Sequence, residues 1–185
     1  DTLNVGGLQL TNSVTHLHKS NDALRETMLG VNVGTGQLAL PLLVQYEDQD
    51  TIYQFPIQYQ NMDSSSRAYT IDLNAAGVGV NFAYLARQKR YNEVEGWGSL
   101  ITPFDTFSNV LKMRTLLVRT DSIVSNGNTI GLGNIQTVIY RWFDPAHVQP
   151  VLEAEGTIIA GLELITTVRY LDVPQCLEPA ASFVS

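Results

Sequence analysis

The chain's 185 residues suit one domain, with 44% hydrophobic side chains for a core and 16% charged ones, well under the roughly 25% of an average globular domain. A net charge of −7 and a pI near 4.8 repel phosphate backbones and anionic bilayers, so neither nucleic-acid binding nor membrane insertion is expected. One cysteine, Cys176, excludes an internal disulfide, and no run of about 18 apolar residues suggests a spanning helix.

In chain order, residues 3–10 and 14–18 read as two short strands split by Thr11-Asn12-Ser13, forming edge strands or an N-terminal arm over 1–19. Next comes the one helix candidate, near 21–29. Ser20-Asn21 can cap it, Leu24 and Met28 lie four apart, and Gly30 can stop it. From Gln37 the period becomes two. Leu38, Leu40, Leu42, Val44 and Tyr46 share a face, and Pro41 marks an edge or bulge because it donates nothing to a ladder.

The acidic Glu47-Asp48-Gln49-Asp50 reads as a turn before a second alternating run of Tyr53, Phe55, Ile57 and Tyr59. Ser64-Ser65-Ser66 reads as a loop. Strands follow around Tyr69–Leu73 and, after Gly77-Val78-Gly79, from Val80 toward Tyr91. The segment Gly96 to Thr120 reads as two strands joined by a corner at Thr102-Pro103, with Leu111, Met113 and Leu117 opposite Lys112 and Arg114.

Asn126-Gly127 is the strongest hairpin signal, since both residues tolerate the positive φ of a type I′ turn. The return strand, 135–143, is apolar on both faces and is expected to be central. Strands at 151–154, 157–159 and 162–170 complete the set. A tail or linker at 174–185 carries Pro179. Ten or so strands with turns every eight to twelve residues imply an all-β fold. The expectation is a two-sheet antiparallel sandwich, jelly-roll-like or immunoglobulin-like, in a single domain over 1–173.

Three segments carry a family resemblance. They are Gly96-Trp97-Gly98-Ser99-Leu100-Ile101-Thr102-Pro103-Phe104-Asp105-Thr106-Phe107-Ser108-Asn109-Val110-Leu111-Lys112-Met113, Tyr53-Gln54-Phe55-Pro56-Ile57-Gln58-Tyr59, and Tyr140-Arg141-Trp142-Phe143-Asp144-Pro145 with Pro150-Val151-Leu152-Glu153. Over about residues 51–155 the chain resembles the N-terminal β domain of secreted and surface proteins of Bacteroidetes that typically carry a type IX secretion sorting domain. Asp105 stands where that pattern has Gly, and Lys112 where it has Arg. The resemblance implies an exported or surface-attached module and brings no catalytic residue with it. Thr2, Thr51 and Ser122, each after Asp and before an aliphatic residue, resemble the O-glycosylation acceptors of that group.

Candidate chemistry is sparse. Trp97, Trp142 and Tyr140 could form an aromatic platform for surface glycans. Glu47, Asp48 and Asp50 could supply oxygens to Ca²⁺, which takes carboxylate and carbonyl ligands; no other cofactor is implied. His16 and His18 share a strand face, but zinc needs three or four converging ligands. Glu93/Glu95 and Glu153/Glu155 are same-face carboxylate pairs of the sort glycosidases use, although solvated strand faces carry such pairs routinely. No Gly-x-Ser-x-Gly or phosphate-binding glycine loop occurs. The sequence therefore reads as a non-catalytic extracellular module with a structural, adhesive or assembly role. Its partners would be other protein subunits, including copies in a homo-oligomer or polymer, or surface glycans. A carbohydrate-binding module is the alternative, and a jelly-roll glycan-active enzyme a more distant one.

Overall fold

A computed structural model describes residues 3–5, 8–34, 39–74 and 81–172. They form ten strands: β1 (Leu3–Val5), β2 (Leu8–Lys19), β3 (Ala23–Gly34), β4 (Ala39–Gln54), β5 (Met62–Asp72), β6 (Phe82–Ile101), β7 (Thr106–Ser125), β8 (Asn128–Phe143), β9 (Leu152–Ile159) and β10 (Leu162–Tyr170). Each strand pairs antiparallel with its successor, giving a meander ordered β1 to β10. The tail at 174–185, including Cys176, lies outside the described residues, as does the Gly77-Val78-Gly79 turn.

The expected helix near 21–29 is a strand. Leu24 and Met28 are spaced by four, which is even, so the pair satisfies strand alternation as readily as a helical face. Beyond them Leu29, Val31 and Val33 are buried while Gly30 and Asn32 are not, and that period of two decides the element. Ser20 closes a hairpin instead of capping a helix. Its backbone N–H donates to the Ala23 carbonyl at 2.9 Å, and its hydroxyl donates to the same carbonyl at 3.0 Å.

Two other expectations change for a common reason. Glu47-Asp48-Gln49-Asp50 is not a turn but the middle of β4. There β4 leaves its β3 partner, with the register jumping from Glu26↔Asp50 to Met28↔Gln45, and meets β5 through the one pair Asp48↔Ala68. Ser64-Ser65-Ser66 is not a loop but part of β5, in register with Tyr91-Arg90-Lys89. In each case a polar run reads as solvated, yet long-range hydrogen bonds hold it in a ladder. The second alternating run does stop early. β4 ends at Gln54, before the cis Phe55–Pro56 peptide, because Pro56 cannot continue a ladder as a donor.

The long hairpin β6–β7 is the centre of the sheet. Thr102 builds its corner: the Thr102 N–H donates to the Asp105 carbonyl at 2.9 Å, and the Asp105 N–H donates to the Thr102 hydroxyl at 3.0 Å. Gly96-Trp97-Gly98 lies inside β6, between register shifts at Val94/Gly96 and Gly98/Leu100. Asn126 (φ 49°) and Gly127 (φ 79°) join β7 to β8 with the anticipated positive-φ pair. β8 begins at Asn128, so the return strand expected over 135–143 also takes in Gly131-Leu132-Gly133, and Leu152–Ile159 forms one strand where two were expected.

Two apolar clusters hold the meander. The larger joins Leu29, Val31, Val33 and Tyr46 of β3 and β4 to Tyr69, Ile71, Tyr84 and Ile123 of β5 to β7. The larger cluster therefore spans β3 to β7, across the point where β4 meets β5 through a single pair. The smaller cluster gathers Phe107, Val110 and Val151 with Leu100, Trp142 and Leu171. Full burial of a side chain of this size contributes roughly 1.5–3 kcal/mol.

Candidate functional site

A polar seam runs beside the main cluster. Asp50 is fully buried. Arg90 donates to it from Nη2 at 2.7 Å and from Nε at 3.0 Å to both oxygens. Ser65 Oγ donates to Asp50 Oδ1 at 2.5 Å, and Gln88 Nε2 to Oδ2 at 3.2 Å. Burial alone would raise the Asp50 carboxyl, but the hydrogen bond and charge of Arg90, with Ser65, hold it below its usual range. The seam continues through Asn92, which donates to Asp63 at 2.9 Å and accepts from Thr115 at 2.8 Å.

A cleft borders the main cluster. It encloses about 400 Å³ between Leu10, Thr15, Tyr46, Arg67, Tyr69 and Arg119, among others. Tyr46 and Tyr69 stack with ring centroids 5.3 Å apart. The Arg67 guanidinium sits 5.5 Å and 5.8 Å from their centroids and donates to Glu26 at 2.6 Å. Arg119 donates to Asp121 at 2.9 Å and to the Tyr84 hydroxyl at 2.7 Å. Burial, with the bond that the Tyr84 hydroxyl donates to Asp121, pushes this phenol far above its usual range. Each cation of the cleft has a carboxylate beside it, so its walls are polar but balanced.

The aromatic residues singled out in the sequence separate. Trp97 pairs with Leu111 and Trp142 with Lys112, neighbours on β7, so the two indoles leave opposite faces of the sheet. Trp97 is 72% exposed, whereas Trp142 packs on the smaller cluster. Trp142 and Tyr140 do lie together, their centroids 6.3 Å apart. Lys112 Nζ is 4.5 Å from the Tyr140 ring and 5.6 Å from Trp142, and is held there by Glu95 at 2.5 Å. Glu163 reaches back from β10 to accept from the Tyr140 hydroxyl and from Arg114 Nη2, each at 2.5 Å. The result is a half-buried aromatic strip edged by two cations and two carboxylates.

The three acidic residues singled out for Ca²⁺ do not share a site. Asp50 is enclosed by the seam, while Glu47 and Asp48 are exposed, with Glu47 accepting from Thr70 at 3.0 Å. Among the described residues no group of three or more His, Cys, Asp or Glu is placed to hold a metal. His16 lies 2.8 Å from the Thr27 hydroxyl. Glu153 bridges Arg141 at 2.6 Å and Arg169 at 2.8 Å, and Glu155 shares Arg169 at 3.2 Å. Thr51 and Ser122 are half-buried in mid-strand, and Thr2 lies outside the described residues.

Sequence reading missed the Arg67–Tyr46–Tyr69 stack and the Asp50–Arg90 clamp. Tyr46 lies 21 and 23 positions from Arg67 and Tyr69, and Asp50 lies 40 from Arg90, and alternation marks only that each points inward. It also missed Asp63, which borders a cleft of about 470 Å³ with Gln54, Met62, Val94 and Met113. Burial raises the Asp63 carboxyl despite the bond from Asn92. Compared with protein-family models, curated proteins and solved structures, the chain matches none.

Proposed function

We propose that this chain is a non-catalytic, exported or cell-surface β module with a structural, adhesive or assembly role, its two limbs stacked as a two-sheet sandwich over the tyrosine cluster. One observation carries the reading: Asp50, Glu153 and Glu155 are paired with guanidinium groups, and Asp63, whose carboxyl is raised, has no second ionisable group among the described residues that line its cleft. Asp50 is clamped by Arg90, Glu153 by Arg141 and Arg169, and Glu155 by Arg169. A general acid needs a carboxyl whose pKa is lifted toward working pH and which faces substrate; charge pairing works in the opposite direction. The resemblance to Bacteroidetes surface proteins supports the compartment.

The test is a turnover screen of the purified chain against a panel of polysaccharides, read by release of reducing ends. No turnover is expected, and sustained turnover lost on Asp63→Asn or Glu153→Gln would overturn the reading. Detection of the protein in the medium or on intact producing cells checks the compartment; confinement to the interior would overturn that part. Carbohydrate binding is the second reading, favoured by the Tyr140–Trp142 strip with its flanking Lys112 and Glu163. A sugar stacking on Tyr140 has to displace Lys112, so on this reading Lys112→Ala strengthens glycan binding and Trp142→Ala removes it.

A further inference from the structure

β10 closes the sheet and, among the described residues, pairs on one side only, with β9. Edge strands offer a row of free backbone donors and acceptors, and soluble proteins usually blunt them with charges, proline or short length. The opposite edge is blunted. β2 meets β1 only through Leu8, Gln9 and Leu10, and its free remainder carries His16, His18, Lys19 and a positive φ at Asn12. β10 has no proline, and its one blunting feature is a β-bulge at Thr166. Leu162, Leu164, Ile165, Val168 and Tyr170 are between 43% and 68% exposed. Its two charged side chains are bound to their own sheet, Glu163 by Arg114 and Tyr140, Arg169 by Glu153 and Glu155.

The β-bulge in this strand decides what fits the edge. The register runs Glu163↔Ile158, Leu164↔Thr157 and Ile165↔Gly156, skips Thr166, and resumes with Thr167↔Glu155, Val168↔Ala154, Arg169↔Glu153 and Tyr170↔Leu152. Side chains opposite one another across a ladder share a face. Glu163, Ile165, Val168 and Tyr170 therefore occupy one face, and Leu164 and Arg169 the other. An uninterrupted strand would place Ile165 and Val168 on opposite faces. The extra residue makes the facing pattern read alike in both directions from the Thr166–Thr167 bond.

We propose that β10 is a self-complementary edge through which a second copy of this chain adds antiparallel, about a two-fold axis at the Thr166–Thr167 bond. In that register Ile165 lies opposite Val168 of the second copy, twice over, Thr166 opposite Thr167, and Glu163 opposite Tyr170. Every facing pair matches in side, which a two-fold axis normal to the sheet requires of an isologous interface. The apolar stripe Ile165, Val168 and Tyr170 doubles and covers itself. This proposal rests on the assembly reading above and names its partner as the chain itself.

The experiment uses the full chain, in two arms. In the first, sedimentation velocity follows the wild type and Val168→Lys over a wide concentration range. The wild type is expected to rise from 20.4 kDa toward twice that mass, while Val168→Lys stays monomeric with an unchanged melting curve. In the second, Ile165→Cys and Val168→Cys proteins, both carrying Cys176→Ser, are mixed under mild oxidation. They are expected to form a mixed disulfide at least several-fold faster than Ile165→Cys mixed with Leu17→Cys on β2. A wild type that is monomeric throughout, a Val168→Lys variant that dimerises as well as wild type, or equal cross-linking in the two mixtures would each overturn the proposal. None of these bears on the non-catalytic reading, which only polysaccharide turnover overturns.

Discussion

Arg90 lies alongside the Asp50 carboxylate with Nε 3.0 Å from both oxygens and Nη2 2.7 Å from Oδ2, joining β4 to the central strand β6. Both side chains are shielded from water. Removing one partner therefore strands a buried charge, which typically costs about 3–5 kcal/mol. Asp50→Ala is expected to lower the urea midpoint by that equivalent, and Asp50→Ala/Arg90→Met to recover part of it. A purely additive double variant would show that the two residues do not act as a unit.

Acid titration separates two carboxyls. Asp50 has its folded-state pKa below the ordinary 3.8, so its contribution is full above that value and is lost as pH falls through the lower, folded pKa. Asp63 is raised, so it penalises the folded state above its folded pKa, and that penalty disappears as pH drops below about 3.8. Asp63→Asn should stabilise the protein at pH 7 and make no difference near pH 3. Stability measured by urea at the two pH values checks both signs.

Gly156 lies against the β10 backbone, in register with Ile165. A Cβ there would sit 2.7 Å from Ile165 Cα, a backbone atom that cannot swing aside. Gly156→Ala is expected to cost about 1–3 kcal/mol, the usual range for overpacking. Hydrogen exchange should show the loss concentrated in the β10 amides; uniform loosening would contradict this.

Ala160 (φ 52°) and Gly161 (φ 80°) turn the chain between those strands. A left-handed alanine costs roughly 1–2 kcal/mol relative to a residue suited to that region. Ala160→Gly is expected to raise the melting temperature by a few degrees, with Ala160→Asn close behind.

The two tryptophans should respond differently. Trp97 is mostly in solvent, and Trp97→Ala should stay within about 0.5 kcal/mol of wild type. Trp142 packs on Phe107, Val110 and Val151, so Trp142→Ala should cost about 3 kcal/mol. Parallel chemical denaturation curves decide it.

What could be read from sequence was whatever depends on neighbours along the chain. Asn126-Gly127 declares its turn through its own φ preference, Thr102 builds the β6–β7 corner from residues within three positions, and the 162–170 strand has the bounds its alternation implies. The failures at 47–50 and 64–66 have one physical origin, whereas 21–29 misled because a spacing of four fits a strand and a helix alike. Serine and aspartate lower local strand preference, and here partners far along the chain offset that cost. Ser65 is read as loop because its acceptor, Asp50, is fifteen residues away and invisible to periodicity. The same blindness joined Trp97 to Trp142, since two register shifts in β6 determine which side Trp97 leaves. The β10 bulge was hidden for this reason too, as only pairing with β9 exposes it.

The chain-ordered meander has a bearing on biosynthesis. Because each strand neighbours its successor, every hairpin can close as soon as its second strand emerges, with no earlier segment held open for a distant return. That suits a polypeptide released end-first through a ribosome or a secretion pore, where local closure keeps unpaired edges short-lived. The Asp50–Arg90 clamp is the exception. It stays unmade until forty further residues have appeared, so the first four strands emerge before the guanidinium that neutralises their buried carboxylate. During that interval Asp50 has no guanidinium partner and carries its charge in water.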